Sequence, residues 1–364
     1  MSGIKKIAFI FFIIITLFSC NNAPSDLSSL VFRNGVYYLP NSEKPYSGEV
    51  FEKFSNQQFK MKGSLKDGLF DGKYMAWYEN GQVRSKAGFS NRKYDGVVQE
   101  WNLSGLMTLN YNYDKGLFNG SCVSYFDDGK VKLNATYNHN ALEGDYYEAW
   151  GNEKVRYKFK FAHGKQNGYC EDYYENGVLA NEGNYIDGNP DGNWLGYYEN
   201  GSISYARKYI NGKKTDTWVS YFANGSKKDE IPYKNDSYDG TYSVYNENNH
   251  LMETGTYHNG LKDGKFQLFS EGGGRGIINC ISEENYVNGM ADGLFIYRVY
   301  WYDDIKLTKV QQITYSKGVA MACSLKESYC CHEGLCWSDE NCLGDFQDAW
   351  FIGQRPTYLD NIQR

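Results

Sequence analysis

A glycine that recurs every 24 residues is the feature that most constrains how this chain can fold. The series runs unbroken from Gly48 to Gly192. Asp216 occupies the next position, the spacing resumes at Gly240, and five extra residues precede Gly293. A fixed period of this length is typical of a repeat array, in which each unit is one supersecondary motif stacked on its neighbours. We call these positions the repeat glycines.

Two further glycines mark turns within each unit. One lies nine residues after the repeat glycine and usually follows Asn or Asp, as in Asn80-Gly81. Such pairs tolerate positive φ at both central positions of a type I′ turn, whose twist matches antiparallel strands. The sequence therefore predicts that each unit is a hairpin of two short strands closed by a two-residue turn. The other glycine, four residues before the repeat glycine, marks the junction between units, as at Gly116.

Aromatic residues form columns between these turns. In one unit they are Tyr74 and Trp77, two and five residues after the repeat glycine, and Phe89 on the return strand. Because positions two and five differ by an odd number, they face opposite sides of a regular strand. Both faces of the sheet are therefore predicted to carry rings. After the apolar N-terminal segment, no stretch of the sequence keeps the helical period of 3.6 residues. The sequence therefore predicts an all-β fold.

The recurring core, which reads DGKYMAWYENG over residues 71–81, resembles the MORN repeat variant of bacterial proteins. The resemblance implies an elongated single-layer antiparallel β-meander of about ten hairpin repeats over residues 46–317. Three departures are local: Asp216-Thr217 replaces an Asp-Gly pair, Asn249 stands where a turn glycine belongs, and Gly151-Asn152-Glu153 is predicted to shift one turn.

The N-terminus carries an export signal. Lys5 and Lys6 precede an apolar run over residues 7–18 that reaches about 18 Å, too short for the roughly 30 Å core of a membrane. The residues ending at Cys20 resemble a bacterial lipobox. This resemblance implies a lipoprotein signal peptide over 1–19, lipid attachment at Cys20, a tether over 20–45, and an anchored position at the bacterial cell envelope. Asn21 then favours the outer membrane. An ordinary cleaved signal peptide with an incidental cysteine is the alternative.

The nine cysteines fall into three groups, of which Cys20 is the first. Cys122 and Cys170 occupy the aromatic column two residues after a repeat glycine, which predicts buried free thiols. An even number of cysteines in an exported chain favours disulfides over a zinc site. The remaining six cysteines are therefore predicted to form disulfides: Cys280, Cys323, Cys330, Cys331, Cys336 and Cys342. Residues 318–364 break the period, so we expect a small Cys-rich C-terminal cap.

The sequence offers no catalytic motif, since neither a nucleophile elbow, a phosphate loop nor a zinc-protease motif is present. The net charge of −6 argues against a nucleic-acid partner. Neighbouring residues of the acidic column before the hairpin turns would lie about 10 Å apart, too far to share one calcium ion. We therefore predict a protein without enzymatic activity, cofactor or metal.

The aromatic columns are the remaining feature with functional promise, because contiguous exposed rings mark interfaces. We expect a scaffold that binds a protein partner or self-associates, and that meets the membrane through its lipid alone. The candidate binding residues lie five positions after a repeat glycine: Trp77, Trp101, Tyr173, Tyr197, Tyr221 and Tyr245. Members of the resembling family are often labelled antitoxins, so neutralisation of a toxin, as an immunity-like protein, is one alternative. Glycan binding at the surface is another.

Overall fold

The computed structural model describes residues 23–272, 277–300, 307–326, 331–332 and 335–336. The predicted signal peptide over residues 1–19, Cys20 and Asn21 lie outside these residues. The chain divides into two compact units, Met1–Lys130 and Val131–Arg364, which we call unit 1 and unit 2. Where the structure describes the chain, it is nearly all β, and no helix there is both long and apolar enough to cross a membrane.

The described residues of unit 1 form a short 3-10 helix, Leu27–Ser29, and twelve strands. The strands are β1 Ser25–Asp26, β2 Val31–Arg33, β3 Val36–Tyr38, β4 Gly48–Lys53, β5 Phe59–Lys66, β6 Leu69–Phe70, β7 Gly72–Trp77, β8 Val83–Ser90, β9 Lys93–Tyr94, β10 Gly96–Trp101, β11 Met107–Asp114 and β12 Leu117–Tyr125.

The strands described in unit 2 continue the same pattern. They are β13 Val131–Asn138, β14 Ala141–Ala149, β15 Val155–Ala162, β16 Lys165–Gln166, β17 Gly168–Tyr173, β18 Leu179–Ile186, β19 Asn189–Tyr197, β20 Ile203–Ile210, β21 Lys213–Tyr221, β22 Lys227–Lys234, β23 Ser237–Tyr238, β24 Gly240–Tyr245, β25 Leu251–His258, β26 Leu261–Lys262, β27 Gly264–Gly272, β28 Ile277–Val287, β29 Met290–Ala291, β30 Gly293–Tyr300, β31 Leu307–Ser316, β32 Val319–Lys326, β33 Cys331–His332 and β34 Leu335–Cys336.

Consecutive strands pair antiparallel within each unit, so the predicted meander of hairpins is confirmed. In unit 1 the order is β4, β5, β7, β8, β10, β11 and β12. The two-residue strands β6 and β9 lie just before a repeat glycine, where the chain bulges before the next full strand begins. The repeat glycines adopt positive φ, as Gly72 does at 92°. This conformation explains why glycine recurs there.

The turn predicted at the Asn-Gly pairs is wrong in type. The amide of Gly81 donates to the carbonyl of Tyr78 at 2.9 Å, and the three residues 79–81 form the loop. Gly81 has a φ of 86°, whereas Asn80 does not share its positive φ. This geometry is a type I turn followed by a G1 bulge. The Asn80 side chain favours it by accepting a hydrogen bond from the Gln82 amide at 3.0 Å.

Type I′ turns occur instead at the junctions between hairpins. Lys115 and Gly116 have φ values of 46° and 91° and link Asp114 to Leu117, which are paired in the ladder. The same two-residue geometry recurs at most junctions, where the first position is occupied by residues as different as Lys, Asp, Asn and His. Every repeat therefore needs two different turns, one at each end of its strands.

Other residues adopt positive φ at positions where the repeat predicts glycine. Asp216, Glu153 and Asn249 have φ values of 62°, 69° and 63°. The amide of Glu153 donates to the carbonyl of Trp150 at 2.8 Å, as the turn glycine does in other repeats. The predicted shift of the turn at residues 151–153 is therefore wrong: the register is kept, and Glu153 adopts the left-handed conformation itself.

Stacked rings form the core of each unit. In unit 2, successive ring centroids are 4.6–6.3 Å apart along one chain of contacts that we call the aromatic ladder: Tyr185, Trp194, Tyr209, Trp218, Tyr233, Tyr238, Tyr257, Phe266, Tyr286, Phe295 and Tyr315. These positions lie mainly two residues after the repeat glycine and on the return strand. Tyr242, which stacks beside the ladder, is only 1% exposed. In unit 1, Phe70, Phe89 and Tyr94 make equivalent contacts.

Cys122 and Cys170 are buried free thiols, as their place in the aromatic column predicts. The Cys170 thiol donates to the carbonyl of Gly183 at 3.4 Å. Burial raises the pKa of Cys170 to about 11, with the nearby Asp172 carboxylate adding to the shift. Both cysteines therefore fill ring-sized places in the core.

The segment expected to be a tether carries secondary structure in its described part. Strand β1 pairs parallel with β4, the first full strand of the array, with Ser25 opposite Val50. Leu30 and Tyr46 are buried with Val50 and Leu65 in one cluster. Because the edge of a first strand presents unpaired backbone groups, a segment that covers it acts as an N-terminal cap.

The array continues beyond its expected boundary at residue 317, because β32 pairs with β31 as the next meander strand. The C-terminal cysteines are described less fully. Cys331 lies opposite Cys336 in the backbone register of the β33–β34 hairpin. Cys280 and Cys323 lie in β28 and β32, while Cys330 and Cys342 lie outside the described residues. The pairing of these six cysteines stays a prediction.

Candidate functional site

In unit 1 the candidate residue Trp77 lines an open groove of about 960 Å³. Phe51, Phe59, Met75 and Trp77 form its apolar floor. The ring centroids of Phe51 and Phe59 are 5.9 Å apart, and those of Phe59 and Trp77 are 6.3 Å apart. Lys53, Lys62, Lys73 and Lys86 also line it, and we call this site the lysine groove.

Strand pairing sets the positions of these side chains. Phe51 on β4 lies opposite Lys62 on β5, and Met75 on β7 lies opposite Lys86 on β8. Directly opposed residues share one face of an antiparallel pair. Lys62 and Lys86 are 24 residues apart, so they occupy the same place in consecutive repeats. The groove thus arises because two repeats present a lysine beside the aromatic column.

The lysine groove carries excess positive charge. The ammonium of Lys62 is 3.7 Å from the Phe59 ring centroid, and that of Lys53 is 5.4 Å from the same ring. Both distances are within the range of a cation–π interaction. The four lysines are exposed and form no ion pair with any residue that the structure describes. Glu49 is the one carboxylate that lines the groove, within a chain of net charge −6.

Trp101, the second candidate in unit 1, lines a neighbouring cavity of about 660 Å³ together with Arg84 and Glu100. Its backbone carbonyl accepts a hydrogen bond from the hydroxyl of Tyr78 at 2.8 Å. The Lys86 ammonium lies 5.4 Å from its ring centroid. The structure therefore places Trp101 next to a groove-lining lysine.

Three of the four tyrosine candidates of unit 2 are half-buried and hydrogen-bonded to glutamates on the same face. The Tyr173 hydroxyl donates to Glu171 at 2.6 Å, the Tyr197 hydroxyl donates to Glu182 at 2.6 Å, and the Tyr245 hydroxyl donates to Glu230 at 3.3 Å. The bond from Tyr197 joins β19 to β18 of the preceding hairpin. The bond from Tyr245 joins β24 to β22, which also belongs to the preceding hairpin. These rings therefore have a structural role of their own.

The same contacts shift the titration of these groups. The hydrogen bond to Glu182, together with burial, raises the pKa of Tyr197 to about 12. Burial and the bond to Glu171 raise the pKa of Tyr173. Although desolvation opposes it, hydrogen bonds from Tyr173 and Lys158 lower the pKa of Glu171. Tyr173 and Tyr197 are thus held neutral and Glu171 ionised near neutral pH.

Tyr221 differs from the other three candidates. Its hydroxyl forms no hydrogen bond within the described residues, and its backbone carbonyl accepts from the hydroxyl of Tyr198 at 2.6 Å. The structure therefore brings Tyr173, Tyr197 and Tyr245 into hydrogen-bonded pairs, and leaves the hydroxyl of Tyr221 at the surface of the same column.

Sequence reasoning missed two columns of hydrogen bonds that join successive repeats in unit 2. Six residues after the repeat glycine, Trp150, Tyr174 and Tyr198 each donate to a backbone carbonyl 23 residues further on, at 3.0, 2.8 and 2.6 Å. At the turn, the side-chain amides of Asn176 and Asn200 donate to the carbonyls of residues 199 and 223 at 3.1 and 3.2 Å. The recurrence of Asn at the turn, and of ring side chains with a hydrogen-bond donor at the sixth position of several repeats, is the signal that could have found them.

The described residues contain no group of three or more His, Cys, Asp or Glu arranged to hold a metal ion. What the site offers chemically is apolar ring surface flanked by cations.

Comparison with known proteins supports the repeat assignment. The family described as MORN repeat variant matches five segments, residues 70–91, 166–187, 190–211, 217–235 and 238–259. Each matched segment lies within the meander and includes a return strand, a junction turn or both. No curated protein matches the chain.

Two solved structures show weak similarity. One is the crystal structure of TcdB2-TccC3-Cdc42, at 7% identity over 73% of this chain and 17% of that chain, with a TM-score of 0.17. The other is a mutant Tc holotoxin pore of Photorhabdus luminescens, at 10% identity over 77% of this chain and 19% of that chain, with a TM-score of 0.13. The chain thus spans less than a fifth of either, and likenesses this weak carry no argument about fold or function. What the matches establish is that this chain contains repeats of the MORN variant type.

Proposed function

We propose that this protein is a non-enzymatic repeat scaffold that binds a protein partner through the face bearing its fifth-position aromatic column. The lysine groove carries this proposal. The rings of Phe51, Phe59 and Trp77 line an open groove, and the ammoniums of Lys53 and Lys62 lie beside the ring of Phe59. Aromatic residues at the centre of a partly open apolar surface are typical of protein interfaces.

The proposal includes a location at the bacterial cell envelope, with the chain anchored by lipid at Cys20. The lipobox-like end of the signal peptide supports this location. Detergent partitioning of the parent chain and a Cys20→Ser variant tests it. We expect the parent to enter the detergent phase and the variant to remain in the aqueous phase; equal partitioning would contradict the anchor.

Affinity capture from an envelope extract of the source cells tests the binding face. The baits are residues 21–364 of the parent, a Phe59→Ser/Trp77→Ser variant of the groove, and a variant with Tyr173, Tyr197, Tyr221 and Tyr245 changed to Phe. Phe32→Ser is the matched control, because Phe32 is 53% exposed but does not line the groove.

We expect a protein that the parent and the control retain and that the groove variant loses, with circular dichroism unchanged. The tetra-Phe variant keeps its rings and should keep the partner. Retention of the same proteins by all baits would contradict this choice of face.

A further inference from the structure

We propose that the lysine groove recognises an acidic segment of its protein partner, whose apolar side chains lie on Phe51, Phe59 and Trp77. This inference rests on the proposed function and adds the chemistry of the partner. It assigns a ligand class to a positively charged surface, although the net charge of the whole chain is negative.

Charge is the first argument. Four lysines and one glutamate line the groove, so its side chains carry a net charge of about +3 at neutral pH. The ammoniums of Lys62, Lys73 and Lys86 make no ion pair inside the described part of the chain and so are available to carboxylates of a partner, whereas Lys53 also interacts electrostatically with Asp26. Positive surface on an otherwise acidic protein selects anionic partners by electrostatic complementarity.

The size of the groove fits a short extended segment. It crosses β4, β5, β7, β8 and Val97 of β10, which are successive neighbours in the sheet. Four inter-strand spacings of about 4.8 Å give roughly 19 Å, the length of about six extended residues. A volume of 960 Å³ is at the upper end of the range for small-ligand sites.

Recognition here depends on side chains. Strands β5, β7 and β8 are each paired on both sides, so the backbone of the groove floor is already hydrogen-bonded. A partner therefore does not add as a further strand at this place. It would instead lay alternate apolar and acidic side chains on the rings and lysines.

The lining also disfavours a glycan. Sugar hydroxyls both donate and accept hydrogen bonds, whereas a lysine ammonium only donates. The groove contains no Asn, Asp, Gln or Arg side chain, and Glu49, Ser64 and Tyr74 are its few side-chain acceptors. The apolar floor of Phe51, Met75 and Trp77 suits aliphatic and aromatic side chains, and the flexible Met75 adapts to their shapes.

Selection from a random peptide library on phage tests this inference on the full chain. Peptides selected on the parent are then measured by fluorescence anisotropy on two double variants. Lys62→Glu/Lys86→Glu reverses the charge of the groove. Lys66→Glu/Lys93→Glu is the control, because these two lysines are exposed in unit 1 outside the groove and change the net charge equally. Thermal midpoints confirm that both variants fold.

We expect enriched peptides with excess Asp and Glu beside aromatic or aliphatic residues. Their Kd should rise at least about tenfold in the groove variant and change little in the control, since tenfold corresponds to about 1.4 kcal/mol. Added salt should weaken binding to the parent.

Three results would overturn the inference: peptides without acidic excess, acidic peptides with equal Kd on both variants, or an empty selection while polygalacturonate or anionic vesicles bind the groove. Peptides that lose binding in Trp77→Ser and keep it in the lysine variant would leave the proposed function standing. If the selection and the envelope capture are both empty, the proposed function fails as well.

Discussion

The hydroxyl of Tyr198 donates a hydrogen bond to the backbone carbonyl of Tyr221 at 2.6 Å, across 23 residues of sequence. Tyr174 makes the same bond to Tyr197, one repeat earlier, at 2.8 Å. In a repeat protein, stability is the sum of each repeat and its interfaces with neighbours. A side chain that joins successive repeats at the same point therefore contributes directly to the interface between them.

Replacing Tyr198 with Phe should lower the free energy of unfolding by about 1 kcal/mol, because the change removes one half-buried hydrogen bond and keeps the ring. Chemical denaturation followed by circular dichroism measures the loss. Tyr221→Phe is the matched control, since its hydroxyl makes no hydrogen bond in the described residues. Equal loss in both variants would show that the bond to Tyr221 does not stabilise the interface.

Much of this architecture can be predicted from the sequence. The period of the glycines and the alternation of the aromatics determine the strands, the ladder and the burial of Cys122 and Cys170. The turn type predicted at the Asn-Gly pairs is wrong, because Asn-Gly is compatible both with a type I′ turn and with a type I turn plus bulge. Choosing between them needs the hydrogen bond from the Gln82 amide to Asn80, which sequence alone does not reveal.

The candidate site was harder to predict. Trp77 was identified by its column, but the lysines around it were missed because the net charge of −6 averages over the chain. Lys62 and Lys86 share one place in the repeat, whereas Glu182 and Glu230 occupy that place in later repeats. Only the structure shows which repeats combine to form one surface.

Glu153→Gly should stabilise the chain by about 1 kcal/mol. Glu153 adopts a φ of 69°, where a side chain is strained and glycine is not. Its exposed carboxylate contributes little at the surface. The mirror change, Gly201→Glu, places the same side chain in the equivalent turn, where Gly201 has a φ of 85°. It should destabilise by about 1–2 kcal/mol. Denaturant midpoints that moved in the same direction for both variants would contradict this account.

Stability should fall as the pH rises from 10 to about 12. The hydrogen bond to Glu182 and burial raise the pKa of Tyr197 from 10 to about 12, and burial raises the pKa of Tyr113 to about 12. In this window the unfolded chain loses protons that the folded chain keeps, so the slope of stability against pH is negative. Below pH 10 both states stay protonated at these groups and their contribution is constant.

Thermal midpoints across this range, with ultraviolet absorbance of tyrosinate, provide the measurement. Tyr197→Phe removes one of the shifted groups and should lose less stability between pH 10 and 12 than the parent loses. A parent whose midpoint stays constant to pH 12 would show that its tyrosines titrate normally.

Cys170 should resist alkylation while the chain is folded. Burial and the nearby Asp172 raise its pKa to about 11, so little reactive thiolate is present at pH 8. Peptide mass mapping after iodoacetamide treatment should find Cys170 modified only after denaturation. A thiol introduced at an exposed site by Lys165→Cys should react at once and serves as the control. Labelling of both thiols at similar rates would contradict the buried position.

The central claim is that the aromatic ladder holds the fold while the rings of the lysine groove serve binding. The most direct test compares the denaturant midpoints of Phe89→Ala and Trp77→Ala. Phe89 contacts the rings of Phe70, Tyr74 and Tyr94, and its loss should cost about 3 kcal/mol. We predict that Trp77→Ala costs less than half as much. An equal or larger loss from Trp77→Ala would make Trp77 part of the core and would contradict the account.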